Sequence, residues 1–431
     1  MITMHSSKNR SYLYNKKRHL FVVIIVAIGC RVMVAYFIGN SFQPRTWEYE
    51  VLTQNMLNHG EYVFNYREYG EYKALLAPGY SFLTYAVYKV FGTSHIIMLL
   101  IQFFLMSAFC IIIYNLSELL FKNRLIAFIS GVLVALHPGL IYYSSTILHQ
   151  LNLYIFLFYA SVYLMCLCYL KGSWMHFILL GIVGGCAVLT RATICPVILL
   201  SLAIYIFINR NICLKKKIVR SATVLIILIC VNAPWTIRNY IVLGKPIFSQ
   251  TNKWESFWVG NNSEATGGHF KTDGTIVLQH KPQKMQEEIN ASDNEIKDNE
   301  IFKKYAFNYI KENPTDFIYG LLRKGTLFWW FYPQTGILYP KFYLVCYKII
   351  YLIMAIFTVA GLVLCHLNKM WRTVMVFPLI LVLGIWGVHT INFMEMRHRW
   401  TVEPVMILFA SVAVYYIFKF ICRKFMKDSS L

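Results

Sequence analysis

The residue types best suited to group-transfer chemistry crowd into Gln43–Tyr80, QPRTWEYEVLTQNMLNHGEYVFNYREYGEYKALLAPGY. The stretch holds Glu48, Glu50, Glu61, Glu68 and Glu71 in a 431-residue chain with only 20 acidic residues. It also carries Trp47, His59 and many tyrosines. A carboxylate can take the proton from a hydroxyl nucleophile. A polar, aromatic, acidic loop lying on a membrane is a suitable place for sugar chemistry. If a phosphate leaves in the reaction, cations must hold it. Charged and polar groups gather at one end of the expected spans: Arg31, Glu48, Glu68, Glu71, Lys73, His149, Arg191, Arg238, Arg397, His398 and Arg399. Ordinary surface charge accounts for any one of them alone. The set together points to a site.

The part of the acidic stretch best suited to regular structure is Trp47–His59. Thr46 can serve as N-cap, Pro44 keeps the preceding backbone extended, and Gly60 can close the helix. At 100° per residue, Glu48, Asn55 and His59 share a stripe beside the apolar row Leu52 and Met56, which is expected to face the membrane. Glu50 points to nearly the opposite side. At most one of the two first-turn acids can therefore face a cavity roofed by this helix. Both also suit the helix dipole. Glu48 is the preferred functional residue, because its stripe is polar.

Composition says what carries this loop. The chain is 58% hydrophobic and 14% charged, with a formal charge of +21. Several long apolar runs make it an integral membrane protein rather than a soluble one. On the expected topology every acid except Glu118 and Asp428 falls on or next to the outer side, while short inner loops hold almost only Lys and Arg. The excess charge is mostly the positive-inside signal, and nucleic acid is not an expected partner. Of the eleven cysteines, none lies between Asn232 and Tyr339, which excludes a disulfide framework there, and no spacing resembles a metal site. The basic N-terminus reads as an inner tail before a retained first helix.

The expected fold is all-α, with about ten transmembrane helices. The spans are placed at about 20–39, 96–120, 125–136, 151–170, 176–190, 194–208, 221–233, 342–364, 374–391 and 405–418. Arg31 lies inside the first; a charge at that depth is expected to be functional or to snorkel to the interface. Residues 1–240 read as an N-terminal membrane core whose first outer loop is 40–95, with a short interfacial helix after Pro78-Gly79-Tyr80. Residues 241–340 form a small outer soluble segment with one long charged helix, and 341–431 the C-terminal membrane helices. The third span stops at His137-Pro138-Gly139, before an outer turn. No internal repeat or pair of matched broken helices favours a transporter.

Five features in order resemble the polytopic GT-C glycosyltransferases, in the group of protein O-mannosyltransferases and aminoarabinose transferases. They are Trp47-Glu48-Tyr49 to Asn58-His59-Gly60; Pro78-Gly79-Tyr80 to Phe91-Gly92; Gly184 to Leu189-Thr190-Arg191; Pro234-Trp235-Thr236-Ile237-Arg238-Asn239-Tyr240 before Gly260–Asn262; and Arg397 and Arg399 near Glu403-Pro404. The resemblance implies an inverting transferase that moves a sugar from a polyprenyl-phosphate carrier to a lipid, glycan or protein acceptor. Glu48 stands where the family has an acidic base, usually Asp. Many members carry a second acid where this chain has Leu148-His149-Gln150, so a two-carboxylate or metal-assisted version is disfavoured, and His149 is either a relay or hydrogen-bond donor or a simple interfacial histidine. Arg31, Glu68, Glu71, Lys73, His149, Arg191, Arg238, Arg397 and Arg399 are the expected substrate-binding residues. No cofactor is implied, with a divalent metal left as an alternative. A bacterial inner membrane is assumed, with both termini cytoplasmic and the site periplasmic. The rival readings are a polysaccharide polymerase or ligase, and a lipid-linked saccharide transporter.

Overall fold

A computed structural model of the chain describes residues 2–65, 70–210, 212–292, 294–331 and 339–428. It is nearly all helical. The first half contains α1 (Ile2–Phe37), α2 (Glu48–His59), α3 (Gly79–Phe91), α4 (His95–Phe121), α5 (Arg124–Ala135), α6 (Pro138–Thr146), α7 (Leu151–Lys171), α8 (Trp174–Thr190), α9 (Cys195–Ile208) and α10 (Leu214–Leu243). Then follow α11 (Lys253–Val259), α12 (Gln283–Asn290), α13 (Glu295–Glu312), α14 (Pro314–Trp329), α15 (Lys341–Leu367), α16 (Val376–Ile391), α17 (Met396–Arg399) and α18 (Glu403–Asp428). Strands Phe64–Asn65 and Glu71–Tyr72 pair antiparallel in the loop after α2.

Among the described residues, seven helices are long and apolar enough to cross a membrane, or eight if the bent pair α5 and α6 counts as one span. The chain is thus a multi-pass integral membrane protein. The expectation of ten differs by the two shorter apolar helices, Trp174–Thr190 and Ala192–Ile208. Exposed Phe21, Ile25, Phe104, Leu199, Ile229 and Ile356 on the bundle's flanks are side chains that lipid would cover.

Two expected breaks differ in the structure. The segment after His137 is a helix, not a turn: Pro138 occupies the first helical turn and the His137 side chain accepts from Leu140 N–H at 3.1 Å. α5 and α6 meet there at 47°. Gly139 permits the close approach, since a Cβ would lie 2.5 Å from the Trp400 ring. Conversely, α10 runs through Pro234 to Leu243, so Pro234-Trp235-Thr236-Ile237-Arg238-Asn239-Tyr240 forms its last turns rather than a loop beyond it.

In segment 241–340 the expected long charged helix is two helices. Asn294 caps α13 by accepting from Ile296 N–H and Lys297 N–H, which ends the first helix before it. A separate apolar core of Trp258, Val277, Met285, Ile289 and Phe302 holds α11 to α13 together. This unit is tied to the first loop: Glu295 accepts from Lys73 N–H at 2.8 Å, Ala74 N–H at 3.0 Å and Thr251 Oγ1 at 2.6 Å. Tyr72 Oη donates to Asp298 nearby.

Candidate active site

α2 begins at Glu48 with Trp47 at the N-cap position and no side-chain cap; Thr46 does not fill that role. Gly60 ends the helix at φ 72°, a left-handed backbone that suits glycine. Leu52 and Met56 do not face the membrane as expected. They pack inward on Tyr62, Ala74 and Trp235, the last from α10. The apolar row of α2 is thus spent on closing the first loop over α10. Asn55 donates to Val63 C=O at 2.7 Å, and His59 is exposed.

A short parallel bridge sets the other edge of the site. Arg45 N–H donates to Thr146 C=O at 2.8 Å, and Leu148 N–H donates to Arg45 C=O at 2.9 Å. The bridge seats Trp47 and Tyr49 against the turn that carries His149. Ring centroids lie 5.3 Å from Trp47 to His149, 5.4 Å from Tyr49 to His149 and 5.2 Å from Tyr143 to His149, all edge-to-face. His149 is buried, and its Nδ1 accepts from Leu151 N–H at 3.1 Å, which leaves Nε2 to carry the proton. Burial, then the charges of Arg397 and Arg191, hold its imidazole well below the ordinary histidine range. It is a neutral donor.

Arg397 closes this box. Nη1 donates to Tyr143 Oη at 3.0 Å, Nε pairs with Glu395 at 2.6 Å, and the guanidinium lies 5.7 Å from the Trp47 ring. Burial disfavours its charge, but Glu395 and the Tyr143 and Tyr339 hydroxyls outweigh that and hold it firmly protonated. Nη2 has no hydrogen-bond partner among the described residues. The reciprocal cap between Glu395 and His398 fixes the turn that presents it. Arg191, just past the end of α8, is the second cation. It lies 5.7 Å from the Tyr154 ring, within electrostatic reach of Tyr49, Glu395 and Arg397, and its side chain makes no hydrogen bond among the described residues. Glu48 is exposed at the rim of the box, within electrostatic reach of Tyr49 and Tyr143, and it also has no partner among the described residues.

Arg238 and Lys73 form a different group, on the Met56 side of α2. Arg238 donates to Lys73 C=O at 2.5 Å, Tyr62 C=O at 3.1 Å and Asn239 Oδ1 at 3.0 Å, and lies 5.0 Å from the Trp235 ring. A groove of about 470 Å³ runs beside it, lined by Met56, Tyr62, Lys73, Phe82, Trp235 and Arg238. The Lys73 amine has no partner among the described residues.

The remaining expected residues lie elsewhere. Arg31 is buried between α1 and α6, donating to Ser144 Oγ at 3.0 Å and Ala27 C=O at 2.8 Å. Glu71 is exposed in the hairpin, and Glu68 lies outside the described residues. Arg399 is buried in a closed network. Its Nε donates to Glu403 at 2.7 Å and its Nη1 to Trp330 C=O at 3.0 Å, while Glu403 also accepts from Tyr347 Oη and meets His137 at 2.5 Å. Tyr143, Glu395 and His389, whose ring stacks 3.7 Å from His398, were not singled out from sequence. Tyr143 had no signal to find it, since its role depends on α6 being helical. Among the described residues no group of three or more His, Cys, Asp or Glu is placed to hold a metal.

Residues 76–236 match the dolichyl-phosphate-mannose-protein mannosyltransferase family. The matched stretch runs from α3 into α10 and includes His149 and Arg191, two members of the box. It makes the chain similar to a family of membrane glycosyltransferases that use lipid-linked sugar donors. No curated protein matches the chain.

Proposed function

We propose that the chain is an inverting glycosyltransferase that takes a sugar from a polyprenyl-phosphate carrier at the non-cytosolic membrane face. One observation carries the reading: an uncommitted carboxylate, Glu48, stands at the rim of an aromatic box that also presents two incompletely satisfied guanidinium groups, Arg191 and Arg397. Glu48 takes the proton from the acceptor hydroxyl. The acceptor oxygen bonds to the anomeric carbon as the bond from that carbon to the phosphate oxygen breaks. The electron pair leaves with prenyl phosphate, which Arg191 and Arg397 hold. His149 Nε2–H donates to a sugar or phosphate oxygen. Trp47 supplies a face for the sugar.

The groove beside Lys73 and Arg238 supports the same reading, because it joins an apolar wall of Met56, Phe82 and Trp235 to two cations. That combination suits the first isoprene units and phosphate of the carrier. Arg238 does two jobs in this account, adding positive field and fixing the loop through Lys73 and Tyr62. Arg397, rather than Arg399, is assigned to substrate, since Arg399 is enclosed with Glu403 while Arg397 keeps 23% of its side chain exposed beside Glu395.

The reaction is tested by supplying a labelled monosaccharyl prenyl phosphate to membranes containing the chain. Release of prenyl phosphate with label passing to an acceptor is expected. A polymerase or ligase would ignore this donor in favour of a lipid-linked oligosaccharide. A transporter would move the intact donor, and either result would overturn the proposal.

A further inference from the structure

A second polar cleft lies on segment 241–340, away from the aromatic box. It has a volume of about 450 Å³, within the range of small-molecule sites. One wall is α14, contributing Asp316, Tyr319, Gly320 and Arg323; Tyr309 of α13 and the Gly260–Asn262 loop form the rest. The lining is mixed. Asp316 offers a carboxylate with no partner among the described residues. Arg323 donates to Ala265 C=O at 2.5 Å, and Tyr319 is 67% exposed. A carboxylate, a guanidinium and aromatic faces with no net charge suit a neutral polyhydroxylated ligand better than an anion or a hydrocarbon. Hydroxyls meet the ionic groups, and the C–H face of a sugar ring meets the aromatics.

The floor of the cleft is held rigidly. Lys324 is buried, and its Nζ donates to Gly260 C=O at 3.0 Å, Asn261 Oδ1 at 2.8 Å and Asn392 C=O at 2.9 Å. A Cβ on Gly260 would lie 1.9 Å from Asn392 C=O, so the loop is pressed onto the end of α16. Asn392 leads directly to the turn of Glu395 and Arg397. The cleft therefore stands on the segment that presents one of the site's cations. Gly320 faces open space, with nothing within 4 Å of a Cβ placed there.

We infer that this cleft binds the saccharide portion of a glycan acceptor, on the segment that leads through Asn392 to Arg397. The inference rests on the transferase reading for the ligand's role, but binding is measured without turnover, so the two can fail separately. Purified full-length chain in nanodiscs is titrated with fluorescent oligosaccharides, from di- to tetrasaccharides of hexose or N-acetylhexosamine. At least one should bind. Gly320→Leu, which fills the cleft while adding a good helix former, should weaken binding about tenfold or more, with an unchanged melting temperature. Asp316→Ala, an exposed change, should weaken it in the same direction. Glu48→Gln should bind as the wild type does. The inference is overturned if no oligosaccharide binds, if Gly320→Leu and Asp316→Ala both bind normally, or if phosphatidylglycerol vesicles displace the sugar from the cleft. Loss of transfer by Glu48→Gln with normal sugar binding supports both readings. Intact transfer by Glu48→Gln with cleft-dependent sugar binding would sink only the mechanism.

Discussion

Glu48 and Glu50 are two residues apart on α2, and Arg397 and Arg399 are two apart on α17, yet each pair is divided between opposite surroundings. Glu50 accepts from Tyr88 Oη at 2.8 Å and from Gln54 at 3.1 Å, and it meets His95 at 3.4 Å. Arg399 is fully buried against Glu403 and lies 3.8 Å from the Tyr351 ring. Glu48 has no partner among the described residues, and Arg397, although paired with Glu395, keeps 23% of its side chain exposed, against 1% for Arg399. The closed network around Glu403 joins α6, α15 and α18, and its charges serve one another. The open box leaves Glu48, the Arg191 side chain and the exposed part of Arg397 for something that is not protein. In a chain this poor in acid, a carboxylate left uncommitted at the rim of a box that holds two cations is the informative case.

The largest expected effect breaks the closed side. Glu403→Ala strands Arg399 and His137 in the interior and should cost about 3–5 kcal/mol, seen as a loss of folded protein or a collapse in melting temperature. Glu48→Ala should stay within about 0.5 kcal/mol of wild type by the same measurement. Equal destabilisation by the two would erase the distinction between the regions. On the open side, Arg191→Ala should lower transfer on the order of 10²-fold while leaving stability unchanged. A stability loss with normal activity would make Arg191 a packing residue.

Arg238 tests whether the groove belongs with the box. Arg238→Ala should weaken carrier binding about tenfold and acceptor binding less. Equal loss for both would leave the residue as a loop fastener only. The smallest effect concerns pH. His149 is held neutral by burial and then by Arg397 and Arg191. Below its ordinary value of about 6.5 the unfolded chain takes a proton that the folded chain refuses, so its contribution to stability is complete above that pH and is lost as pH falls below it. Melting temperature measured from about pH 7 down to about pH 5 should therefore fall less in His149→Gln than in wild type. An identical fall would show that His149 titrates normally.

Much of the scaffold was legible because hydropathy and length announce long apolar helices: α4, α7, α15 and α16 lie within a few residues of where the sequence places them. Local signals failed where tertiary packing overrode them. Pro234 reads as a helix end, but α10 continues through it, and the indole N–H of the next residue, Trp235, donates to Ser249 C=O at 2.7 Å. Leu52 and Met56 read as lipid-facing because their row is apolar, and nothing in that row reveals that Trp235 waits for it. The residue types of the box were legible, and so were Glu48, His149, Arg191 and Arg397 as candidates. Their grouping was not, since Arg191, Arg238, Arg397 and Arg399 look alike as charges at span ends. Hydrogen bonds separate Arg238 and Arg399 from Arg191, and enclosure separates Arg399 from the partly exposed Arg397.

The central claim is that Glu48, not its neighbour two residues on, is the base. The direct measurement is transfer from a labelled monosaccharyl prenyl phosphate in membranes holding equal amounts of wild type, Glu48→Gln and Glu50→Gln. Loss of transfer in Glu48→Gln, with Glu50→Gln retaining most of it, is the predicted result. Full transfer by Glu48→Gln would contradict the account.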